Sequence, residues 1–195
     1  MMKRIKGLFN QLFYKCVTYW VYTFEDLHLG KKVVFKLMPQ ILKHNDAKIS
    51  IGNGSTINSS NFGYHINMFS KCKLFPDRPN AVIEIGENTR VHGTCIHAFN
   101  KIQIGNNCLI AANTNIIDGN GHELCMENPE NRINTKDHGN PIIIADNVWI
   151  AANCIILGGT KIGEGAIITA GSIVKGNVPA KSIFGGNPAI LIKQY

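Results

Sequence analysis

The sequence predicts an all-β solenoid, and three observations carry that prediction. An aliphatic residue returns every sixth position near the C-terminus, at Ile144, Ile150, Ile156, Ile162, Ile168 and Val174. A small or slim residue stands two places before: Val148, Cys154, Thr160, Ala166 and Ser172, with Ile142 opening the series. Three places after comes Asn or Gly, at Asn147, Asn153, Gly159, Gly165, Gly171 and Asn177. A helix needs a period of 3.6 and a flat strand a period of 2, so a strict six fits neither alone. Asn and Gly tolerate positive φ, so their phase marks tight corners between short strands. A fixed short period of that kind is the signature of a solenoid.

The chain divides into residues 1–48 and residues 49–195. In the first part Ile5, Leu8, Phe9, Leu12, Phe13, Cys16, Trp20 and Phe24 follow helical spacing, with Lys3, Arg4, Lys6 and Lys15 among them. This mainly helical, basic and amphipathic segment holds nine Lys or Arg against Glu25, Asp26 and Asp46, so it carries nearly all of the +7 net charge. Asn10, Gln11 and Lys15 interrupt its apolar run, making it too short and too polar to span a bilayer. No small-residue cleavage pattern follows, so no signal peptide is expected. Two readings stay open: packing on the solenoid or a neighbouring subunit, or lying on an anionic membrane through residues 3–24. Nucleic acid is not an expected partner, because the cations are interleaved with core-type aromatics and no binding module is recognisable.

From residue 49 the hexads begin. Ile51 and Ile57 carry Gly54 and Ser60, Ile85 and Val91 carry Asn88 and Thr94, and Ile104, Ile110 and Ile116 carry Asn107, Asn113 and Gly119. The register slips by one residue between Val91 and Ile104, which places a bulge or distorted corner around His97–Lys101. Residues 119–140 lack the pattern and are polar, and they read as a long loop ejected from the solenoid. Charged residues are only 17% of the chain, since Asn and Gly corners supply an uncharged polar surface. Of six cysteines, none are in C-x-x-C spacing. Cys108, Cys154 and Cys95 are assigned to the small-residue phase, as buried free thiols of a reducing compartment.

Segments such as IGNNCLIAAN, IADNVWIAAN and IGEGAIITAGSIV resemble the hexapeptide-repeat acyltransferases, and NVPAKSIFGGNPAILIK resembles the end of their sugar O-acetyltransferase branch. The resemblance covers roughly Ile49 to Lys193. It implies a left-handed parallel β-helix with three hexads per coil, acetyl-CoA as co-substrate, a sugar or surface-polysaccharide precursor as acceptor, and a homotrimer with sites between subunits. A cytoplasmic location follows, with the inner face of the membrane as an option.

Catalysis is assigned to His122, in IIDGNGHEL, where the loop leaves the solenoid. A sugar hydroxyl is a poor nucleophile at neutral pH, and imidazole is a base suited to that pH. The resembled enzymes place a His just after the coil preceding their loop; the turn before His122 differs from theirs in detail. The plain alternative is a solvated loop histidine. Asp118 either orients that imidazole, bonds the acceptor, or is simply a corner residue. Cys125 raises a covalent alternative, which the resembled family does not use.

For the donor, the resemblance points to Ala152 and Ala170, where small side chains let pantetheine approach the main chain. Lys175, Lys181 and Lys193 are candidates for the phosphate end, against ordinary solvated charge; Lys175 is displaced from the family's lysine. Trp149 precedes Ile150, so alternation turns it outward, where something should cover it. His97, Asn100 and Asn113 are the acceptor candidates, Asn113 being a corner residue first. Rival readings are N-acetylation of an amino sugar, serine O-acetylation, a zinc carbonic anhydrase and a non-catalytic scaffold. No metal is expected: an open zinc site takes three histidines, and the partner nearest downstream of His122 is His138.

Overall fold

The computed structural model describes residues 2–195, with residues 2–6 described by their backbone alone. The side chains of Lys3, Arg4, Ile5 and Lys6, part of the helical pattern, lie outside the described residues. A helix, Met2–Phe24, precedes a parallel β-helix built of three sheets. The first sheet has seven strands, from His28–Leu29 to Asn177–Val178. The second has eight and starts at Val34–Lys36; the third has six and starts at Gln40–Ile41. The chain visits the three in turn, and each strand pairs in parallel with its counterpart one coil away.

Register turns the sequence hexad into columns. Ile85, Ile104, Ile144 and Ile162 align in the first sheet. Val91, Ile110, Ile150 and Ile168 align in the second, and Ile96, Ile116, Ile156 and Val174 in the third. All twelve are buried in one continuous core. Each contributes roughly 1.5–3 kcal/mol of burial. The slim positions Val148, Cys154, Thr160, Ala166 and Ser172 are buried too, because they sit where the chain turns inside a corner. Positive φ falls at Asn107, Asn113, Asn147, Asn153, Gly159, Gly165 and Gly171, so the Asn/Gly phase marks those corners, but not at Gly119, where the long loop leaves, nor at Asn177, which opens a strand just after Gly176 (φ 91°).

The corner between the first and second sheets never changes length. Leu29 to Phe35, Ile51 to Ile57, Ile85 to Val91, Ile104 to Ile110, Ile144 to Ile150 and Ile162 to Ile168 are all six-residue steps. Its coils touch closely: a Cβ on Gly52 would lie 2.6 Å from the carbonyl carbon of Gly86, and one on Gly86 2.6 Å from that of Gly105. Polar side chains link successive coils there. Asn53 Nδ2 donates to Glu87 Oε1 at 2.7 Å, Glu87 N–H to Asn106 Oδ1 at 2.7 Å, and Asn106 N–H to Asp146 Oδ1 at 2.7 Å. Beneath them the buried hydroxyls of Ser55 and Thr89 donate to the Gly86 and Gly105 carbonyls. Insertions fall at the other two corners: residues 59–72 at the second, and residues 77–81 and 118–141 at the third.

Two expectations need correction, the start of the solenoid and the phase of Cys95. The solenoid begins at His28, not at residue 49, and the helix accounts for only the first half of 1–48. Leu29, Phe35 and Ile41 form a first coil with six-residue steps, disguised because Lys32 and Leu37 take the positive φ usually given to Asn or Gly. The expected irregularity at His97–Lys101 is present, because Ile96 to Ile104 is an eight-residue step there, and it is partly offset at the second corner, where Val91 to Ile96 is a five-residue step around Gly93 (φ 47°). That shorter step makes Thr94 the buried slim residue and turns Cys95 to the outer, half-buried face.

The helix closes the open end of the solenoid. Val17 and Val21 join the core beside Phe35 and Val33. Thr18 Oγ1 accepts from Phe35 N–H at 3.0 Å, and Tyr22 Oη accepts from Val33 N–H at 3.1 Å, so two edge donors of the first coil are satisfied. At the far end Ala189–Gln194 folds back antiparallel on Ser182–Gly186 and covers the last strand of the second sheet.

Gly86→Ala should lower folding stability by about 1–3 kcal/mol through overpacking against Gly105. A lower midpoint in urea unfolding, with an unchanged slope, is the expected result.

Candidate active site

Outward positions of the second sheet also stack into a column: Arg90, Leu109, Trp149 and Ile167. Trp149 is half exposed, as alternation requires. Where this column meets the second corner lies a groove of about 530 Å³, lined among others by Tyr64, Leu109, Trp149, Ala152 and Ala170. Three of the residues assigned to the donor are therefore brought together. At Ala152 and Ala170 the main chain is within a ligand's reach, since their side chains end at Cβ. Lys175 and Lys193 are not part of this lining. Lys175 is exposed in the turn after Ile173–Val174 at the third corner, and Lys193 lies over the Tyr195 ring at 4.2 Å in the terminal strand. Lys181 is exposed at the first corner, with φ 52°.

The 59–72 insertion forms the groove's other wall, and Asn113 holds it. Asn113 Oδ1 accepts from Phe69 N–H at 2.9 Å, and its Nδ2 donates to Asn67 O at 3.0 Å. Both ends of that amide are thus committed to main chain. His92 stands behind the groove, stacked on Tyr64 at 4.7 Å. Asn58 Nδ2 donates to His92 Nδ1 at 3.0 Å, so the ring proton sits on Nε2. Burial, then the charges of Lys36, Arg90 and His65, push the His92 pKa down to about 4.

At the opposite edge of the third sheet, the third corner ejects the long loop. Its base is tied by Asn140 N–H to Asp118 O at 2.6 Å and by Asp137, which accepts from the N–H groups of Asn120 at 2.5 Å and Gly139 at 3.0 Å. Loop residues Pro129–Asn134 form a 3-10 turn. His122 is exposed on this loop, with Nδ1 3.1 Å from Thr135 O. A carbonyl only accepts, so a neutral His122 ring carries its proton on Nδ1 and leaves the Nε2 lone pair free.

Asp118 does not serve that imidazole. It is fully buried, and its oxygens accept from Phe99 N–H at 2.6 Å and Asn100 N–H at 2.9 Å. Burial raises its pKa, and the backbone hydrogen bonds at Phe99 and Asn100 oppose that rise. The carboxylate anchors the turn of the coil above, which is the corner role.

His97 is sandwiched between Phe75 and Phe99, each centroid 4.4 Å away. Its Nε2 lies 3.4 Å from Asp77 Oδ2 without hydrogen bonding. Asn100 lines a separate cleft of about 490 Å³ with Arg78, Phe99, Lys136 and His138. Two of the three acceptor candidates are thus neighbours, since Phe99 both stacks on His97 and lines the cleft with Asn100, while Asn113 lies at the other corner. Among the described residues no three of His, Cys, Asp and Glu converge as metal ligands.

Sequence reasoning missed Arg90 and Leu109, although both occupy the phase of Trp149 in earlier hexads. It also missed Tyr64 and Arg78, which sit on insertions without a repeat to locate them.

Unfolded His92 binds a proton near pH 6.5, whereas folded His92 does so only near 4. Between those values the unfolded chain holds more protons, so the contribution of His92 is present above pH 6.5 and is lost as pH falls towards 4. Asp118 acts with the opposite sign, because its folded pKa is raised. Urea unfolding of wild type and His92→Gln across this range isolates the effect, and the variant should lose less stability on acidification.

Residues 141–176 match the family model described as bacterial transferase hexapeptide (six repeats). The chain also resembles solved acyltransferases. AntD, an N-acyltransferase from Bacillus cereus solved with dTDP and 3-hydroxybutyryl-CoA, is 21% identical with a TM-score of 0.67, over 91% of this chain and 87% of its own. A hexapeptide-repeat acetyltransferase from Vibrio cholerae, complexed with acetyl coenzyme A, is 20% identical with a TM-score of 0.57, over 93% and 84%. A galactoside acetyltransferase in complex with coenzyme A is 20% identical with a TM-score of 0.55, over 95% and 80%. At such identities the likeness is one of fold.

Proposed function

We propose that this protein transfers an acetyl group from acetyl-CoA to a hydroxyl of a sugar or surface-polysaccharide precursor, with His122 as general base. The observation that carries the reading is the Nδ1 contact of His122 with the Thr135 carbonyl, which leaves Nε2 as a base on an accessible loop. The solved relatives support the donor, since they hold CoA or acetyl-CoA on the same fold.

In this mechanism Nε2 takes the proton of the acceptor hydroxyl as its oxygen attacks the thioester carbonyl. The tetrahedral oxyanion is met by main-chain N–H groups, which need no reorganisation. Collapse expels the CoA thiolate, which recovers the proton from the imidazolium. Pantetheine lies in the groove of Trp149, Ala152 and Ala170, where small side chains leave the backbone open to it.

The base and the groove stand on opposite edges of the third sheet, about five residues or ~16 Å apart along a strand. One chain does not bring them onto one acetyl group. A neighbouring copy does, by laying its loop against the groove, which supports a homotrimer with sites between subunits. The half-exposed Trp149 would be covered in that contact.

A second reading has the same donor and base but an amino sugar as acceptor. It is favoured by the likeness to AntD, whose solved complexes include one with dTDP-4-amino-4,6-dideoxyglucose. Hydroxylamine separates the two products, since it cleaves the ester and spares the amide.

His122→Ala should bind acetyl-CoA as wild type does in calorimetry, while kcat with a responsive sugar falls by about 10²–10⁴. Loss of donor binding in that variant would remove His122 from the role of base. Ala170→Leu should raise the donor Kd. Co-expressing the two variants should restore activity to about a quarter of the sites if base and groove come from different subunits; none returns if they come from one.

A further inference from the structure

We propose that the outward face of the N-terminal helix docks the protein on an anionic lipid surface. The helix has two apolar faces. Val17 and Val21 are buried against the first coil, and Thr18 and Tyr22 bond its edge. The opposite face carries Leu8, Phe9, Leu12, Tyr19 and Trp20, each more than half exposed. At 100° per residue these five fall on one side of the helix, away from Val17 and Val21. An outward apolar stripe of this size marks a partner.

Charge identifies the partner. Met2–Phe24 contains no acidic residue, while Lys3, Arg4, Lys6 and Lys15 lie within it. A helix whose sequence combines cations with exposed apolar residues, Trp and Tyr among them, suits the boundary between acyl chains and negative headgroups. A second copy of the same helix would offer these cations no carboxylate. The helix is not a span either, since no described helix is long and apolar enough to cross a membrane. Its inner face is held by the solenoid, so it lies along the lipid surface with the β-helix attached. The inference is independent of the acyl-transfer reading.

The test uses the full chain carrying Trp149→Phe, which leaves Trp20 as the sole tryptophan. Vesicles of phosphatidylcholine alone are compared with vesicles also containing phosphatidylglycerol. With the anionic vesicles, Trp20 emission should shift to the blue and co-sedimentation should rise about tenfold over neutral vesicles, with the gain lost in high salt. Adding Phe9→Ser and Leu12→Ser should abolish partitioning without lowering the thermal midpoint, because both side chains are exposed. Equal partition into both vesicles, or into neither, overturns the proposal. So does a serine variant that binds as its parent does. A wild type of larger mass than the serine variant by light scattering, with no vesicle binding, assigns the face to a second copy instead.

Discussion

Every strand in the β-helix has its hydrogen-bonding partner in another coil, so the coils must stack in register or lose their backbone pairing together. Strands of two to four residues have no independent stability. What keeps them in register is the corner between the first and second sheets, with its unvarying six-residue step. Gly52, Gly86 and Gly105 let the coils approach there, and the Asn53–Glu87–Asn106–Asp146 ladder ties them. An insertion at that corner would break contacts in two neighbouring coils at once.

The other two corners are free of this constraint, and both carry parts of the candidate site. The second holds the 59–72 insertion and, beside it, the groove of Trp149, Ala152 and Ala170. The third holds the loop with His122. The first loop is pinned by the corner side chain of Asn113, the second by the Asp118 main-chain carbonyl and by its own Asp137 carboxylate. The rigid coils therefore fix where the loops begin and end, while loop composition decides what is bound. His122 owes its tautomer to the loop's own Thr135 carbonyl, so ring and loop conformation form one unit.

Much of this architecture was legible in the hexads from Ile85 to Val174, because an inward aliphatic, a slim residue and an Asn or Gly corner repeat together. The first coil was not, since Lys32 and Leu37 occupy its left-handed corners and Phe35 replaces the usual isoleucine. The irregular corner at His97–Lys101 was legible as a net slip of one residue, but the shorter step at Gly93 beside it was not, because Thr94 and Cys95 are both small enough for the inner position. Among site residues, Trp149, Ala152 and Ala170 were legible as neighbours because a solenoid converts phase into position. Asp118 was ambiguous, as four residues of separation from His122 say nothing about direction at a loop exit. Tyr64 and Arg78 lie on insertions, where phase carries no information.

The two ends of the stack are closed by different means. Hydroxyls of the N-terminal helix meet the edge of the first coil, and an antiparallel strand covers the last strand of the second sheet. A parallel β-helix has no intrinsic length: its final coil is a template for another like it. The helix and the terminal strand are therefore what make the molecule finite. Without them the same repeat that gives the protein its rigidity would be a seed for end-to-end fibres.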